Sequence, residues 1–423
     1  MTIFLVGLLV ALTLLGLPLF VTLGAGGLLA THYADLDPAL LIVELNRLAS
    51  SPYLAAIPLF TFAGVVLAAG GAPKRMIQLF NACVGWLPGG MAGVAIASCA
   101  FFTAFSGASG VTILALGGLM FPMLLHAGYG ERFTLGLLTT SGSLGLLFAP
   151  SLAILLYGIV ASVSIDELFL SGVVPGLLLM LMLGIFSLYV GSKTAVPRHA
   201  FSLSNLAVAL REGIWDVMLP LGVIIGIFGG YLTISEASAC TAVYVLVLES
   251  LIHREIDLRK YLFPLLKDTA ILVGSILIIL SVAMGLTNLL IDAQVPMKLF
   301  GWVKMHIDSQ LQFLMLLNVF LLVVGCMMDI FSAIVVVVPL ILPIAKLYGV
   351  DPVHLGIIFL ANLEIGYSTP PVGINLFIAS QRFGRPVMSL VRAALPFLLL
   401  MLIWLVMITY IPAISLWWKY QGL

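Results

Sequence analysis

The sequence predicts an all-α polytopic membrane protein with an inverted-topology repeat, two re-entrant hairpins and two broken helices. Three observations predict it. The 423 residues are 62% hydrophobic and only 9% charged, whereas a water-soluble domain carries about 25% charged residues. Whole segments are apolar on every face, which excludes the alternating pattern of a membrane barrel and leaves helices. Glycine and proline pairs recur at a constant offset of 221 residues: Pro122 with Pro343, Gly128 with Gly349, Gly145 with Gly366, and Pro150 with Pro371. An offset held through four such pairs marks an internal repeat.

Apolar runs bounded by breakers lie at 2–30, 54–71, 86–125, 134–163, 170–191, 217–234, 237–252, 269–291, 311–345, 355–380 and 392–418. The first lacks the basic stretch of a secretory signal and is expected to stay in the mature protein. Gly16-Leu17-Pro18 either kinks one helix there or separates two short ones. The runs 86–125 and 311–345 are too long for one crossing. Each carries small or polar residues at its middle, Ser106-Gly107-Ala108-Ser109 in one and Gly325 to Ser332 in the other. Both are read as hairpins that return to their own side, with tips in register because the 221-residue shift lays Ser106 over Met327.

After each hairpin comes a helix that glycine and proline interrupt, at Thr139 to Ser151 in the first half and at Asn362 to Asn375 in the second. Proline removes an amide donor and clashes with the preceding turn, so these helices should unwind near the bilayer midplane. Freed backbone is tolerable there only beside protein or an aqueous cavity. Its carbonyls suit a hard cation, and half-helix N-termini suit a carboxylate.

Net charge is zero, with eighteen residues of each sign, so the total says nothing about partners and no basic cluster suggests nucleic acid. The distribution says more. The connections 72–81, 126–133, 192–216, 253–267 and 381–392 share one face and hold thirteen of the eighteen Lys and Arg; Arg47, Lys298, Lys304, Lys346 and Lys419 lie on the other. The positive-inside rule makes the first face cytoplasmic. The first hairpin then opens from the cytoplasm, the second from the opposite side, and the C-terminus lies outside. Cys83, Cys99, Cys240 and Cys326 lack metal-like spacing and read as small hydrophobes.

Gly107-Ala108-Ser109-Gly110 also matches the short nucleophile motif of rhomboid intramembrane proteases. An intramembrane serine hydrolase using Ser109 needs a base. All six histidines fall in connections or at segment ends, and small residues at this spacing also pack helices closely. Asp329 and Glu364 are the acids placed inside apolar segments, where a carboxylate is a functional hypothesis by default. The structural alternatives are a hairpin-tip cap for Asp329 and a brace of the broken helix for Glu364. Glu236 reads as an N-cap between two spans.

The stretch Glu364-Ile-Gly-Tyr-Ser-Thr-Pro-Pro-Val-Gly-Ile-Asn375, with Ser106-Gly-Ala-Ser109, Ala393-Ala-Leu-Pro and Tyr410-Ile-Pro-Ala, resembles the large membrane subunit of tripartite ATP-independent periplasmic (TRAP) transporters. The resemblance spans nearly the whole chain. It implies a secondary transporter of the bacterial inner membrane that imports a small carboxylate, a C4-dicarboxylate or sialic acid, with sodium ions as the coupling species and no organic cofactor. It implies two partners, a periplasmic substrate-binding protein and a small four-helix membrane subunit expected on a separate chain.

Further, it implies an elevator mechanism. Scaffold helices would lie in 1–85 and 164–310, transport-domain halves in 86–163 and 311–380, and a C-terminal scaffold helix in 381–423. Carried over by matching motif, one sodium site would use Thr103 and Ser106 with backbone at Gly145, Phe148 and Pro150, the other Gly325, Gly366, Thr369 and Val372. Substrate is expected near Ser109, Asn362 and Asn375, with Pro370 and Pro371 holding the second break. The family often shows Ser-Gly-Ser-Ser at the first tip and Pro-Pro-Ser in the first broken helix, where this chain has Ser106-Gly-Ala-Ser109 and Ala149-Pro150-Ser151. A divalent-anion sodium symporter that works alone would share hairpins and broken helices and stays open as a rival.

Overall fold

The computed structural model describes residues 17–33, 53–87, 89–193, 202–307 and 309–420, with 7–9, 11 and 12 before them and 37, 39, 43 and 46 between the first two ranges. Among these residues the chain forms helices and turns and no strand. Among the described residues seven helices are long and apolar enough to cross a membrane, or up to nine if each of two bent pairs is one span. The number of crossings before residue 30 falls on residues outside the described ones, beyond helix α1 (Leu19–Tyr33).

Helices α2 (Ala56–Ala69) and α3 (Ala72–Val84) meet at 75°. The sequence read 72–81 as a connection between spans, and the structure corrects this to a helix. Pro73 sits in the first turn of α3, where its missing amide has no partner to lose. Met76, Ile77 and Leu79 then bury one side of that helix. Arg75 is buried on it too, with its Nε 2.7 Å from Asp216 Oδ2, an Nη 2.6 Å from Glu255 Oε2, and a further bond to Glu249.

Next come the two arms α4 (Gly90–Ser106) and α5 (Ser109–His126), the second interrupted by a π turn at Ile113–Gly117. The first broken helix is α6 (Glu131–Ser141), a 3-10 turn Leu144–Leu147, irregular backbone, and α7 (Leu152–Ala161), bent by 46°. Helices α8 (Ile165–Lys193), α9 (Leu203–Phe228), α10 (Ile234–Ile252), α11 (Leu258–Asp292) and α12 (Val295–Lys304) lead to the second half. Two further connections therefore prove partly helical. Residues 203–216 belong to α9, capped by Ser202, and 258–267 belong to α11. At the start of α10 the N-cap is Thr233, and Glu236 is its reciprocal partner three residues on, not the cap itself.

The second half holds arms α13 (Gln310–Met327) and α14 (Ile330–Leu347), then α15 (Pro352–Gly366), an unwound turn at 367–373, and α16 (Ile374–Phe383). Helix α17 (Val387–Tyr410) closes the chain, apart from two short turns after Pro412. Both predicted interruptions are present, at 142–151 and 367–373.

Each pair of arms begins and ends at one place. Gly89 before α4 lies against the Tyr129 ring hydroxyl just past α5. Gln310 Nε2 at the start of α13 donates to Gly349 O just past α14 at 3.2 Å, and Phe313 stacks on Tyr348 with centroids 4.5 Å apart. The arms therefore turn back on themselves, with tips at Gly107-Ala108 and Met328-Asp329. Asp329 caps α14, accepting from Ser332 N at 2.9 Å and Ser332 Oγ at 2.6 Å.

Helix α17 packs on α6, α8, α15 and α16. Its Phe397, Met401 and Trp404 are buried, and Trp404 Nε1 donates to the Pro175 carbonyl of α8 at 2.9 Å. In hydrocarbon, such close contact and satisfied polar groups hold helices together, because lipid tails are as apolar as leucine.

Candidate functional site

The tips and the breaks meet. A Cβ built on Gly145, in the first break, would lie 2.3 Å from Ala100 O and Ala104 N of α4. One built on Gly366, at the second break, would lie 2.4 Å from the Gly325 carbonyl carbon of α13. Only glycine admits this approach, so each broken helix is pressed against the first arm of its own hairpin.

Around the first contact the donor set is hydroxyl and carbonyl oxygen. Thr103 Oγ1 donates to Gly142 O at 2.8 Å and lies 2.7 Å from Thr112 Oγ1, which is 3.5 Å from Ser106 Oγ. The Gly145 and Phe148 carbonyls accept one turn hydrogen bond each, from Phe148 N at 3.1 Å and Ser151 N at 2.9 Å, and keep a second lone pair. Pro150 is buried and its peptide bond is cis. The Ser141 and Ser151 hydroxyls, both buried, have no partner among the described residues. Oxygen-only ligands with spare lone pairs are what a hard cation takes.

The second contact is built alike but is more open. Thr369 Oγ1 donates to Ile365 O at 2.8 Å, and Gly373 N reaches the Cys326 carbonyl of the second tip at 3.1 Å. Gly325 and Gly366 are buried, whereas Pro370, Pro371 and Val372 are exposed; the Pro370–Pro371 peptide is cis.

Between the halves, Ser109 Oγ at the first tip donates to Asn375 Oδ1 at 2.7 Å. Asn375 N donates to the Tyr367 carbonyl at 3.0 Å, and the Tyr367 hydroxyl accepts from Ile330 N at the second tip. One chain of hydrogen bonds thus links both tips through the second break. Asn375 is buried and its Nδ2 has no acceptor among the described residues, so the amide retains donors for a ligand.

Of the three residues expected near substrate, Ser109 and Asn375 come together and Asn362 does not join them. Asn362 Nδ2 is bound by Asn318 Oδ1 and Ile358 O, both at 2.8 Å, and Asn318 Nδ2 donates to Thr409 Oγ1 at 3.1 Å. Glu364 is fully buried and neither carboxylate oxygen has a partner among the described residues; no bracing hydrogen bond is present there. Sequence reasoning missed Thr112 and Asn318. Thr112 stands three residues past Ser109 and six past Ser106, close enough to belong with the first tip, and for Asn318 a lone amide in an apolar helix is itself a signal.

Among the described residues Ser109 shows no catalytic pairing. Its partner is an amide oxygen, which is not a base. His354 is buried elsewhere, 2.6 Å from Ser415 Oγ and 3.3 Å from the Thr409 carbonyl. Among the described residues no group of His, Cys, Asp and Glu could hold a metal ion.

The fold is similar to that of the YdaH transporter of Alcanivorax borkumensis, with a TM-score of 0.62, 15% identity and 98% of each chain covered. Among sequence relatives, the C4-dicarboxylate TRAP transporter large permease protein DctM of Pseudomonas aeruginosa is 36% identical over 380 residues, covering 89% of this chain and 88% of that one. The isethionate TRAP transporter permease protein DctMQ of Oleidesulfovibrio alaskensis is 35% identical across 95% of this chain and 64% of its own length. The ectoine/5-hydroxyectoine TRAP transporter large permease protein UehC of Ruegeria pomeroyi is 32% identical, with 96% of each covered. Residues 6–414 match the family described as the tripartite ATP-independent periplasmic transporter, DctM component. With a match over nearly the whole chain, relatives above 30% identity and helices that can span a bilayer, the chain belongs to this family of transporter large permeases.

Proposed function

We propose that the chain imports a small carboxylate, a C4-dicarboxylate first among candidates, across the bacterial inner membrane with sodium as the coupling ion. The substrate is delivered by a periplasmic substrate-binding protein, and the chain works beside a small four-helix subunit. Relatives named for C4-dicarboxylates support the substrate class, and those named for ectoine and isethionate mark how far the pocket varies within the family.

The observation that carries the reading is the Ser109–Asn375 link flanked by two tip-to-break contacts. Carboxylate binds at the link, where the Ser109 hydroxyl and the spare Asn375 amide donors lie. Sodium binds at the flanks, at Thr103, Ser106, Gly145, Phe148 and Pro150 on one side and Gly325, Gly366, Thr369 and Val372 on the other. Gly145 faces Ala104 and Gly366 faces Gly325, both at the 221-residue offset, which supports an inverted repeat. Coupling follows if sodium must organise the unwound backbone before both tips close, since a charged half-loaded site is disfavoured in hydrocarbon.

The moving body of the elevator is larger than the sequence division into 86–163 and 311–380. Helix α17 buries its aromatic face against α6, α8 and α15, so α8 and α17 travel with the broken helices, and the Lys and Arg distribution puts the C-terminus on the periplasmic side. The scaffold is then α1 to α3 with α9 to α12.

The test is uptake of labelled succinate into proteoliposomes holding this chain and its small subunit, under an inward sodium gradient, with and without the periplasmic protein. Uptake that needs both sodium and that protein supports the reading. Sodium-driven uptake without the protein places the chain with the stand-alone symporters instead.

A further inference from the structure

We propose that the chain carries a site for the phosphate of an anionic phospholipid where α6 and α17 begin. A cavity of about 430 Å³ lies there, lined by Glu131, Arg132, Leu135, Arg385, Arg392 and Ala393 among others. Arg385 Nε donates to Glu131 Oε1 at 2.6 Å, which neutralises that pair. Arg132 Nη2 donates at 3.0 Å to the backbone carbonyl of Arg392, a neutral acceptor that leaves its charge uncompensated. Among the described residues no carboxylate pairs with the Arg392 guanidinium. The cavity therefore holds two positive charges in excess. Both helices also start there without a side-chain cap, at Gly130 and Pro386, so their free amides add positive potential. Two guanidinium forks beside helix N-termini suit a phosphate monoanion.

The neighbouring surface identifies the phosphate as a lipid's. Met388, Leu395, Leu399, Ile403 and Val406 of α17 are all exposed, and with Arg392 they repeat every three or four residues along one face. Arg392 thus stands one turn inside the end of an apolar stripe that runs down α17. A headgroup held in the cavity would lay its acyl chains along this stripe, whereas free phosphate would use the arginines and leave the stripe unused. The Lys and Arg distribution assigns this end to the cytoplasm, where anionic lipid attracts basic segments.

The test uses the full chain in a zwitterionic detergent, with lipid binding read by native mass spectrometry and thermal unfolding. The probes are phosphatidylglycerol, phosphatidylcholine with the same acyl chains, and inorganic phosphate. Phosphatidylglycerol should bind and raise Tm while phosphatidylcholine does not. Arg132→Gln and Arg392→Gln should each weaken phosphatidylglycerol binding by about fivefold, with Arg392→Lys retaining most of it. Leu399→Gln should weaken the lipid and leave inorganic phosphate unaffected. If Arg132→Gln fails to fold, Arg392→Gln decides, because the Arg132 guanidinium holds a backbone carbonyl of α17 whereas the exposed Arg392 side chain holds none among the described residues. Equal binding of the two lipids, or wild-type affinity in Arg392→Gln, overturns the site. Inorganic phosphate binding as tightly as the lipid, with no effect of Leu399→Gln, makes the ligand a soluble anion and overturns the lipid assignment.

Discussion

Ser109 and Asn375 stand 266 residues apart in the chain and share a hydrogen bond of 2.7 Å, joining the first hairpin tip to the helix that follows the second break. The two halves of the molecule are therefore in contact at the point where polar atoms are buried and not fully paired. Losing one neutral hydrogen bond to a ligand costs about 1 kcal/mol, roughly fivefold in affinity. Ser109→Ala and Asn375→Ala should each raise the KM for carboxylate uptake by about that factor, or more for Asn375, with sodium activation preserved. An unchanged KM in both variants would remove the link from the substrate site. Labelling of Ser109 by a fluorophosphonate would revive the hydrolase reading.

Thr103 and Thr369 contribute hydroxyls at the two tip-to-break contacts, bonded to Gly142 O and Ile365 O. Valine keeps the shape and removes the oxygen. Thr103→Val and Thr369→Val should each raise the sodium concentration for half-maximal uptake about tenfold, with substrate binding at saturating sodium retained. Sodium titrations that superimpose on wild type would exclude that residue from the ion site.

Gly366→Ala forces a methyl to within 2.4 Å of the Gly325 backbone, and Gly145→Ala to within 2.3 Å of Ala100 and Ala104. Backbone on both sides cannot yield easily, so each should destabilise by about 1–3 kcal/mol and abolish coupled uptake. Gly274 in α11 has open space around it, and Gly274→Ala should be neutral or slightly stabilising. Thermal unfolding of the three variants in detergent separates them.

Arg75 binds Asp216 by two nitrogens, at 2.7 and 2.9 Å, and reaches Glu249 and Glu255 as well. Removing it strands carboxylates that are buried at Asp216 and Glu249. Arg75→Met should therefore cost about 3–5 kcal/mol. Arg385→Gln breaks an ion pair of similar length to Glu131, but both side chains are nearly half exposed, and the cost should stay below about 1 kcal/mol. Denaturation of both variants checks the contrast.

Asp351 caps α15, accepting from Val353 N at 2.8 Å and His354 N at 3.3 Å, and pairs with Lys419 at 2.8 Å. Burial raises its carboxyl pKa, but Lys419 and the two amides outweigh burial and hold it below the ordinary aspartate value. The stabilisation is therefore present above the unfolded pKa, about 3.9, and lost as pH falls through the lower folded one. The Tm difference between wild type and Asp351→Asn should be constant from about pH 8 to pH 5 and close below about pH 4. A difference that persists in acid would show that the cap, not the charge, sets it.

The sequence by itself determined the all-helical membrane class, the two hairpins with tips near Ser109 and Asp329, and the two breaks at Pro150 and Pro371. These are local properties: hydropathy fixes which segments are helices for hydrocarbon, and proline interrupts a helix wherever it stands. Local pattern misplaced Arg75 in a loop, because a cation reads as solvated until its carboxylates are known, and they lie 141 to 180 residues away. Only the tertiary structure decided that Ser109 meets Asn375, that Thr112 joins Thr103 and Ser106, and that Asn362 turns to Asn318 instead. Each of these pairings depends on how separate helices are set against one another, and helix–helix contact is chosen by packing across the whole molecule, not by any one segment's composition.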